Sequence, residues 1–191
     1  MRVIKTDIEG VVIIEPQLFR DDRGYFYESF NSDKFEALTG IKTTFVQDNE
    51  SCSKSGVIRG LHFQLAPYAQ SKLIRVISGE ILDVAVDLRH GSPTYGKHVS
   101  VVLNGDNRRQ LFIPRGFAHG FSVLKGEAIV QYKCDNLYTP TAEGAICWDD
   151  STLAIDWHIP HGKAIVSSKD SASKPFDECE RLFDYNIDYY A

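Results

Sequence analysis

Histidine is the side chain whose unperturbed pKa lies nearest neutrality, so a histidine on a strand that also carries polar partners is the first place to look for proton transfer. His62 meets that description. It stands in the run Val57-Ile-Arg-Gly-Leu-His-Phe-Gln64, and because successive strand residues point to opposite faces, His62 and Gln64 share a face. The same parity places Gln47 with Asn49 and, within Ala128 to Tyr138, Tyr132 with Tyr138. Lys72, Arg23, Arg59, His119 and Lys169 add cationic or acid–base groups, and Glu28, Asp83, Glu143 and Asp170 add carboxylates. Singly, each has an ordinary structural role: a hydrogen-bonded histidine, a solvated strand-edge lysine, sheet-packing tyrosines, a surface ion pair, a turn-capping aspartate. Only their joint occurrence asks for a chemical explanation.

A strand-rich scaffold must position these residues. From Val11 onward, short runs of Val, Ile, Phe and Tyr alternate with Gly, Pro, Asn, Asp and Ser, the pattern of an all-β sandwich or barrel. Strands are predicted over Tyr25 to Phe30, Thr43 to Glu50, Val57 to Gln64, Lys72 to Ile77, Ile81 to Leu88, His98 to Leu103, Gln110 to Ile113, Phe117 to Val123 and Ala128 to Tyr138. Gly79 reads as a turn between two of them. Leu82, Val84, Val86 and Leu88 form one apolar face, with Asp83, Ala85 and Asp87 on the other. The segment NSDKFEALTG predicts one short helix, with Asn31 or Ser32 as its N-cap and Gly40 at C′. The aromatic stretch Leu182 to Tyr190 reads as a packed tail.

A chain of 191 residues is expected to form one domain over its whole length, 1–191. Hydrophobic residues at 43% and charged residues at 25% leave no room for a large disordered part. A formal charge of -5 argues against a nucleic-acid duplex as partner, so anionic ligands must be met locally. The N-terminal apolar stretch is short and broken by Asp7, Glu9 and Glu15, which fits neither a signal peptide nor a membrane span and leads us to expect a cytoplasmic protein. Cys52, Cys134, Cys147 and Cys179 are widely spaced without a CxxC pair, and read as reduced packing residues.

Two segments resemble the paired motifs of the cupin superfamily, a jelly-roll fold with a pocket lined by the inner strand faces. Gly56, His62, Gln64, Lys72 and Gly79 follow the spacing of the first motif, and Pro114-Arg-Gly-Phe-Ala-His119 follows the second. The ligand set departs from the metal-binding pattern, because Gln64 replaces a histidine and Lys72 replaces the glutamate. No metal and no cofactor are therefore expected. A lysine at that position can stabilise a developing oxyanion as a metal would.

Joined with Phe19-Arg-Asp-Asp-Arg-Gly-Tyr-Phe-Tyr-Glu28, Gln47-Asp-Asn49, RGLHFQ at 59–64 and PRGFAHGF at 114–121, these segments resemble the dTDP-4-dehydrorhamnose 3,5-epimerase family over nearly the whole chain. The resemblance implies a thymidine-diphosphate sugar with a ketone at C4 and acidic C–H bonds on both flanking carbons. It implies His62 as the base, Asp170 as the carboxylate that orients it and favours its protonated form, Lys72 as the holder of the enolate, with Asp83 as a possible partner of the lysine, and Tyr132 as the acid that returns a proton from the opposite face. Arg23, Arg59, His119 and Lys169 would lie near the diphosphate. Tyr138 would stack on thymine, Glu28, Gln47, Asn49 and Glu143 would contact nucleotide or sugar, and Phe26 would add apolar cover. Family members form dimers that exchange N-terminal strands, so a homodimer is expected, with some contacts supplied by the partner chain. A single-carbon epimerase, a 3,4-ketoisomerase, a non-catalytic sugar-nucleotide binder and a metal-dependent oxygenase are the alternatives, the last disfavoured by Gln64 and Lys72.

Overall fold

The computed structural model describes residues 1–179 and 182–190. Two short strands, β1 (Arg2–Lys5) and β2 (Val12–Glu15), pair antiparallel, and a separate hairpin joins β3 (Phe19–Asp21) to β4 (Gly24–Phe26). Helix α1 (Ser32–Thr39) is capped by Asn31, whose side chain accepts from the Lys34 amide, and stops at Gly40, whose φ of 73° is the left-handed conformation glycine adopts without cost. There follow β5 (Gln47–Lys54), β6 (Ile58–Gln64), β7 (Lys72–Asp87), β8 (Arg89–His90), β9 (His98–Asn104), β10 (Gln110–Ile113), β11 (Phe117–Cys134) and β12 (Glu143–Ala145). The C-terminal part holds one turn of α-helix, α2 (Ser168–Ser171), two 3-10 turns (His161–Lys163 and Phe176–Glu178), and β13 (Phe183–Asp184), which runs parallel to β8.

Strands β7 and β11 organise everything else. They pair antiparallel from Phe117↔Asp87 to Cys134↔Lys72, and each passes from one sheet into the other. Near Lys72 and Cys134 they are flanked by β10, β2 and β1 on one side and by β5 on the other. Near Asp87 and Phe117 they are flanked by β9 on one side and by β6 and β12 on the other. The result is the all-β, cupin-type jelly roll of two antiparallel sheets. Gly79 is thus a bend within one strand and not the expected turn between two. Its φ is +81°, and a Cβ there would lie 2.4 Å from the Glu127 carbonyl oxygen and 2.7 Å from Ala128 Cα, so only glycine lets the two strands cross this closely. Likewise, Phe117 to Val123 and Ala128 to Tyr138 are parts of one strand as far as Cys134, with a register shift between Lys125 and Ile129.

Three apolar clusters fix the layers. Ile74, Val76, Ala85, Leu111, Phe121 and Val130 fill the space between the sheets. Outside β7 and β11, Leu82, Val84, Val86 and Leu88 pack against Leu153, Trp157, Phe176 and Phe183 of the C-terminal part, which confirms the packed tail. Outside the other sheet, Phe35 of α1 packs with Val12, Ile14, Leu73 and Phe112. Because β7 is covered on both faces, Asp83 and Asp87 are fully buried. Two further expectations change. The strand at Tyr25 to Phe30 ends at Phe26, since residues 27–30 turn into the helix, and the strand at Thr43 to Glu50 is displaced to Gln47–Lys54. Of the cysteines, all free, Cys134 is packed inside, but Cys52 is exposed. Among the described residues no helix is long and apolar enough to cross a membrane.

Candidate active site

A cavity of about 190 Å³ opens at the end of the barrel where β5, β6 and β7 come together, lined by Gln47, Asn49, His62, Phe63, Gln64, Gln70, Lys72, Tyr132, Tyr138 and Glu143. Seven of the residues expected from the sequence are therefore gathered in one place. Local backbone geometry sets the place of His62. Gly60, with φ +117°, brings β6 so close to β11 that a Cβ on it would sit 2.5 Å from Gly120 Cα, and the register shifts there so that His62 lies directly opposite His119.

His62 Nε2 is 2.6 Å from Asp170 Oδ1. A carboxylate can only accept, so Nε2–H donates and the lone pair of the neutral ring is left on Nδ1. Asp170 is held in turn: it is buried, and its amide donates to Ser167 Oγ, the cap of α2. Burial drives the imidazole below its ordinary value of 6.5, and the Asp170 carboxylate only partly restores it. Asp170 does favour the protonated ring, but desolvation outweighs it and leaves the imidazole mostly neutral at neutral pH. Asp170→Asn removes the restoring charge, so the His62 titration should move to still lower pH. Proton NMR of the ring across pH 4–8 (roughly the range of imidazole titrations) checks this, and an upward shift would refute the stated balance.

Lys72 enters from the start of β7, opposite Cys134 on β11. Its ammonium makes no hydrogen bond or ion pair among the described residues, and burial lowers its pKa against the opposing pull of Cys134, Asp83 and Glu143. The neighbouring ammonium does not offset desolvation at the Cys134 thiol, which is pushed up to about 11 and stays protonated. Tyr132 on β11 is likewise raised, first by burial and then by Cys134, so its hydroxyl remains a proton donor at neutral pH.

Asp83 does not hydrogen-bond to Lys72. Its Oδ1 lies 2.6 Å from His119 Nε2, its Oδ2 has no hydrogen-bond partner, and it reaches the lysine through charge alone. His119 is only 7% exposed, with its ring 6.4 Å from that of Tyr132. It is therefore an inner residue beside the tyrosine.

At the mouth, the Tyr138 hydroxyl donates to Glu143 Oε2 at 3.0 Å, and Lys169 Nζ donates to the same oxygen at 2.6 Å. Burial alone would raise the Glu143 pKa, but these two partners outweigh it and hold the carboxylate below its ordinary value. Tyr138 itself is half exposed, with its amide donating to Gln47 Oε1 at 2.9 Å, while Gln47 Nε2 donates to Asn49 Oδ1 at 3.0 Å. Arg59, exposed, donates to Ser53 Oγ, and its charge favours the ionised form of Tyr132.

Arg23, Phe26 and Glu28 are not brought to the cavity within one chain. Arg23 pairs with Asp21 in the β3–β4 hairpin, Phe26 is 71% exposed, and Glu28 pairs with Lys34 of α1. The sequence reading missed Phe63 and Gln70 as lining residues. Phe63 faces the side opposite His62 by parity and still reaches the rim beside Gly144, while Gln70 lies in a loop without periodicity. Among the described residues, no three His, Cys, Asp or Glu side chains gather as metal ligands.

Comparison with known proteins bears directly on this arrangement. Residues 5–178 match the family model described as dTDP-4-dehydrorhamnose 3,5-epimerase. The dTDP-4-dehydrorhamnose 3,5-epimerase of Escherichia coli K12 is 52% identical over 182 residues, covering 95% of this chain and 98% of its own length. That of Methanothermobacter thermautotrophicus is 52% identical over 178 residues, with coverages of 93% and 95%. The crystal structure of dTDP-6-deoxy-D-glucose-3,5-epimerase from Legionella pneumophila in complex with dTDP-4-keto-L-rhamnose superposes with a TM-score of 0.93 at 47% identity, covering 97% of this chain and 99% of that one. Fold and sequence agree over almost the whole length, and the chain, an isomerase, belongs to the dTDP-4-dehydrorhamnose 3,5-epimerase family.

Proposed function

We propose that the chain epimerises dTDP-4-dehydro-6-deoxy-D-glucose at C3 and C5, giving dTDP-4-dehydro-L-rhamnose, with His62 as base and Tyr132 as acid. The observation that carries this reading is a carboxylate-held neutral imidazole, a buried ammonium and a protonated phenol around a single cavity. His62 Nδ1 takes the proton from the carbon beside the C4 ketone. The C–H electron pair moves into the ring, and the negative charge that forms on the C4 oxygen is met by Lys72 Nζ. Tyr132 stands on the sheet that faces β6 across the barrel, so its hydroxyl returns a proton to the carbon from the other side. His62 then releases its proton, the tyrosinate regains one, and the cycle repeats at the second carbon.

A cavity of about 190 Å³ is smaller than the roughly 300–1,000 Å³ typical of ligand clefts, which suits the sugar inside and the nucleotide across the mouth. There Tyr138 would stack on thymine, Arg59 and Lys169 would meet the diphosphate, and Asn49 and Glu143 would face the sugar or nucleotide. The separation of Arg23, Phe26 and Glu28 from the cavity supports a homodimer of single-domain protomers that exchange their N-terminal segments, each protomer completing its partner's site. We place the enzyme in the cytoplasm, where no metal or cofactor is required for this chemistry.

Incubation with the 4-keto substrate in heavy water tests the reading: deuterium should enter at both C3 and C5. Label at one carbon would make the chain a single-carbon epimerase, and no label would make it a binder. Tyr132→Phe should still exchange protons on the His62 side while product with inverted centres falls by about 10²-fold or more, the size of effect expected for a lost general acid. Equal loss of exchange and inversion would remove Tyr132 from the acid role.

A further inference from the structure

Gln64 occupies the position at which the metal-binding pattern of the cupins has a histidine, and its amide is taken up by main-chain partners. It is buried, and all of its polar groups are used. Nε2 donates to Tyr68 O at 2.7 Å and to Leu137 O at 3.2 Å, while Oε1 accepts from the Thr139 amide at 2.7 Å. Two of these three bonds go to the main chain on either side of Tyr138. The amide of Tyr138 itself goes to Gln47 Oε1. The segment beyond Cys134, where β11 ends, has no ladder pairing through Tyr138. Beyond Asp135, whose amide donates to Ser71 O, its backbone is held by side-chain amides: Gln64 and Gln47 from the barrel wall, and Gln70, whose Nε2 donates to Asn136 O at 2.7 Å.

We infer that Gln64 is a positioning residue for nucleotide binding, fixing the half-exposed Tyr138 ring at the cavity mouth through the main chain of Leu137 and Thr139. This deepens the reading that Tyr138 stacks on the thymine base, and rests on it. The side-chain type follows from the geometry. Two carbonyls and one amide N–H converge on this point, which requires two donors and one acceptor in one group, and among side chains of this length only glutamine's amide provides that set. A neutral imidazole has one donor and one acceptor. A glutamate would set a carboxylate against two carbonyl oxygens. The position that carries a metal ligand in other cupins thus serves here to hold a loop. His62, two residues away on the same face, keeps the chemistry.

Binding of dTDP to the full-length protein, measured by calorimetry for Gln64→Met, Tyr138→Ala and the double variant, tests the inference, with melting temperatures recorded for each. Loss of a base-stacking ring should weaken dTDP by about ten- to hundredfold in Tyr138→Ala. Gln64→Met should weaken it by about five- to tenfold and raise KM more than it lowers kcat, yet cost less than about twofold when Tyr138 is already alanine, because residues acting through one another are not additive. Gln64→Glu, which keeps the size and the acceptor but loses both donors, should behave like Gln64→Met, and serves if the methionine variant does not fold. Undiminished affinity in a folded Gln64 variant, a full additional loss in the double variant, or a fall in kcat at unchanged KM would overturn the inference. If Tyr138→Ala itself leaves dTDP affinity intact, the stacking reading fails, and this inference with it.

Discussion

His62→Ala should abolish deuterium uptake at both C3 and C5 in heavy water, lowering turnover by about 10²–10⁴-fold, the usual contribution of a positioned general base. Binding of dTDP should persist, because the imidazole lies at the sugar end of the cavity and the nucleotide is assigned to the mouth. The pH dependence of the unaltered enzyme supplies a second check. Since burial lowers the His62 pKa in the free enzyme, the acid limb of kcat/KM should fall below 6.5, the ordinary imidazole value, and activity should be lost as pH drops through it. An acid limb above that value, or exchange that survives in His62→Ala, would assign the base elsewhere.

Lys72→Met should lower kcat by about 10²–10³-fold, in line with the loss of one charge-stabilising donor in a dry site. Methionine keeps most of the length of the side chain and removes only the charge, so the fold and dTDP affinity should change little. The lysine also sets the alkaline limb of the unaltered enzyme. Burial depresses its pKa from 10.5 and raises that of Tyr132 from 10.0, so loss of the ammonium moves toward neutral pH while ionisation of the phenol moves away from it. In Lys72→Met the residual activity should keep its acid limb and extend to higher pH. A variant with near-normal kcat would show that the enolate charge is met by another group.

Strand parity and turn residues made much of this legible in the sequence. His62 and Gln64 do share the cavity, as do Gln47 and Asn49, because alternation is a property of the backbone that tertiary packing cannot change. The Asn31 cap and the Gly40 stop were readable because both act within a few residues. What parity could not tell was which faces are covered. Parity put Asp83, Ala85 and Asp87 on one face without saying that it is the barrel interior, where Asp83 meets His119 and Asp87 is bonded by Arg89, Ser92 and Thr94. Gly79 was misread for a related reason. A positive φ marks a turn and a strand bend alike, and only the close approach of Glu127 and Ala128 distinguishes them. Gln64 was recognised as a departure from the metal pattern, but its bonds go to Tyr68, Leu137 and Thr139, and main-chain partners of this kind leave no mark on residue type.

The His62–Asp170 contact spans 108 residues of sequence, which gives the order of synthesis a chemical meaning. As the chain leaves the ribosome from its N-terminus, the strands up to β12 emerge before α2, so the base, the lysine and the tyrosine can all be in place while the imidazole still lacks its anchor. The segment that later covers Leu82, Val84 and Val86 also delivers Asp170. With His62 as the base, a nascent barrel should carry an untethered imidazole, and activity should appear only when the segment bearing Asp170 docks, which would make its onset a report that the outer layer has closed.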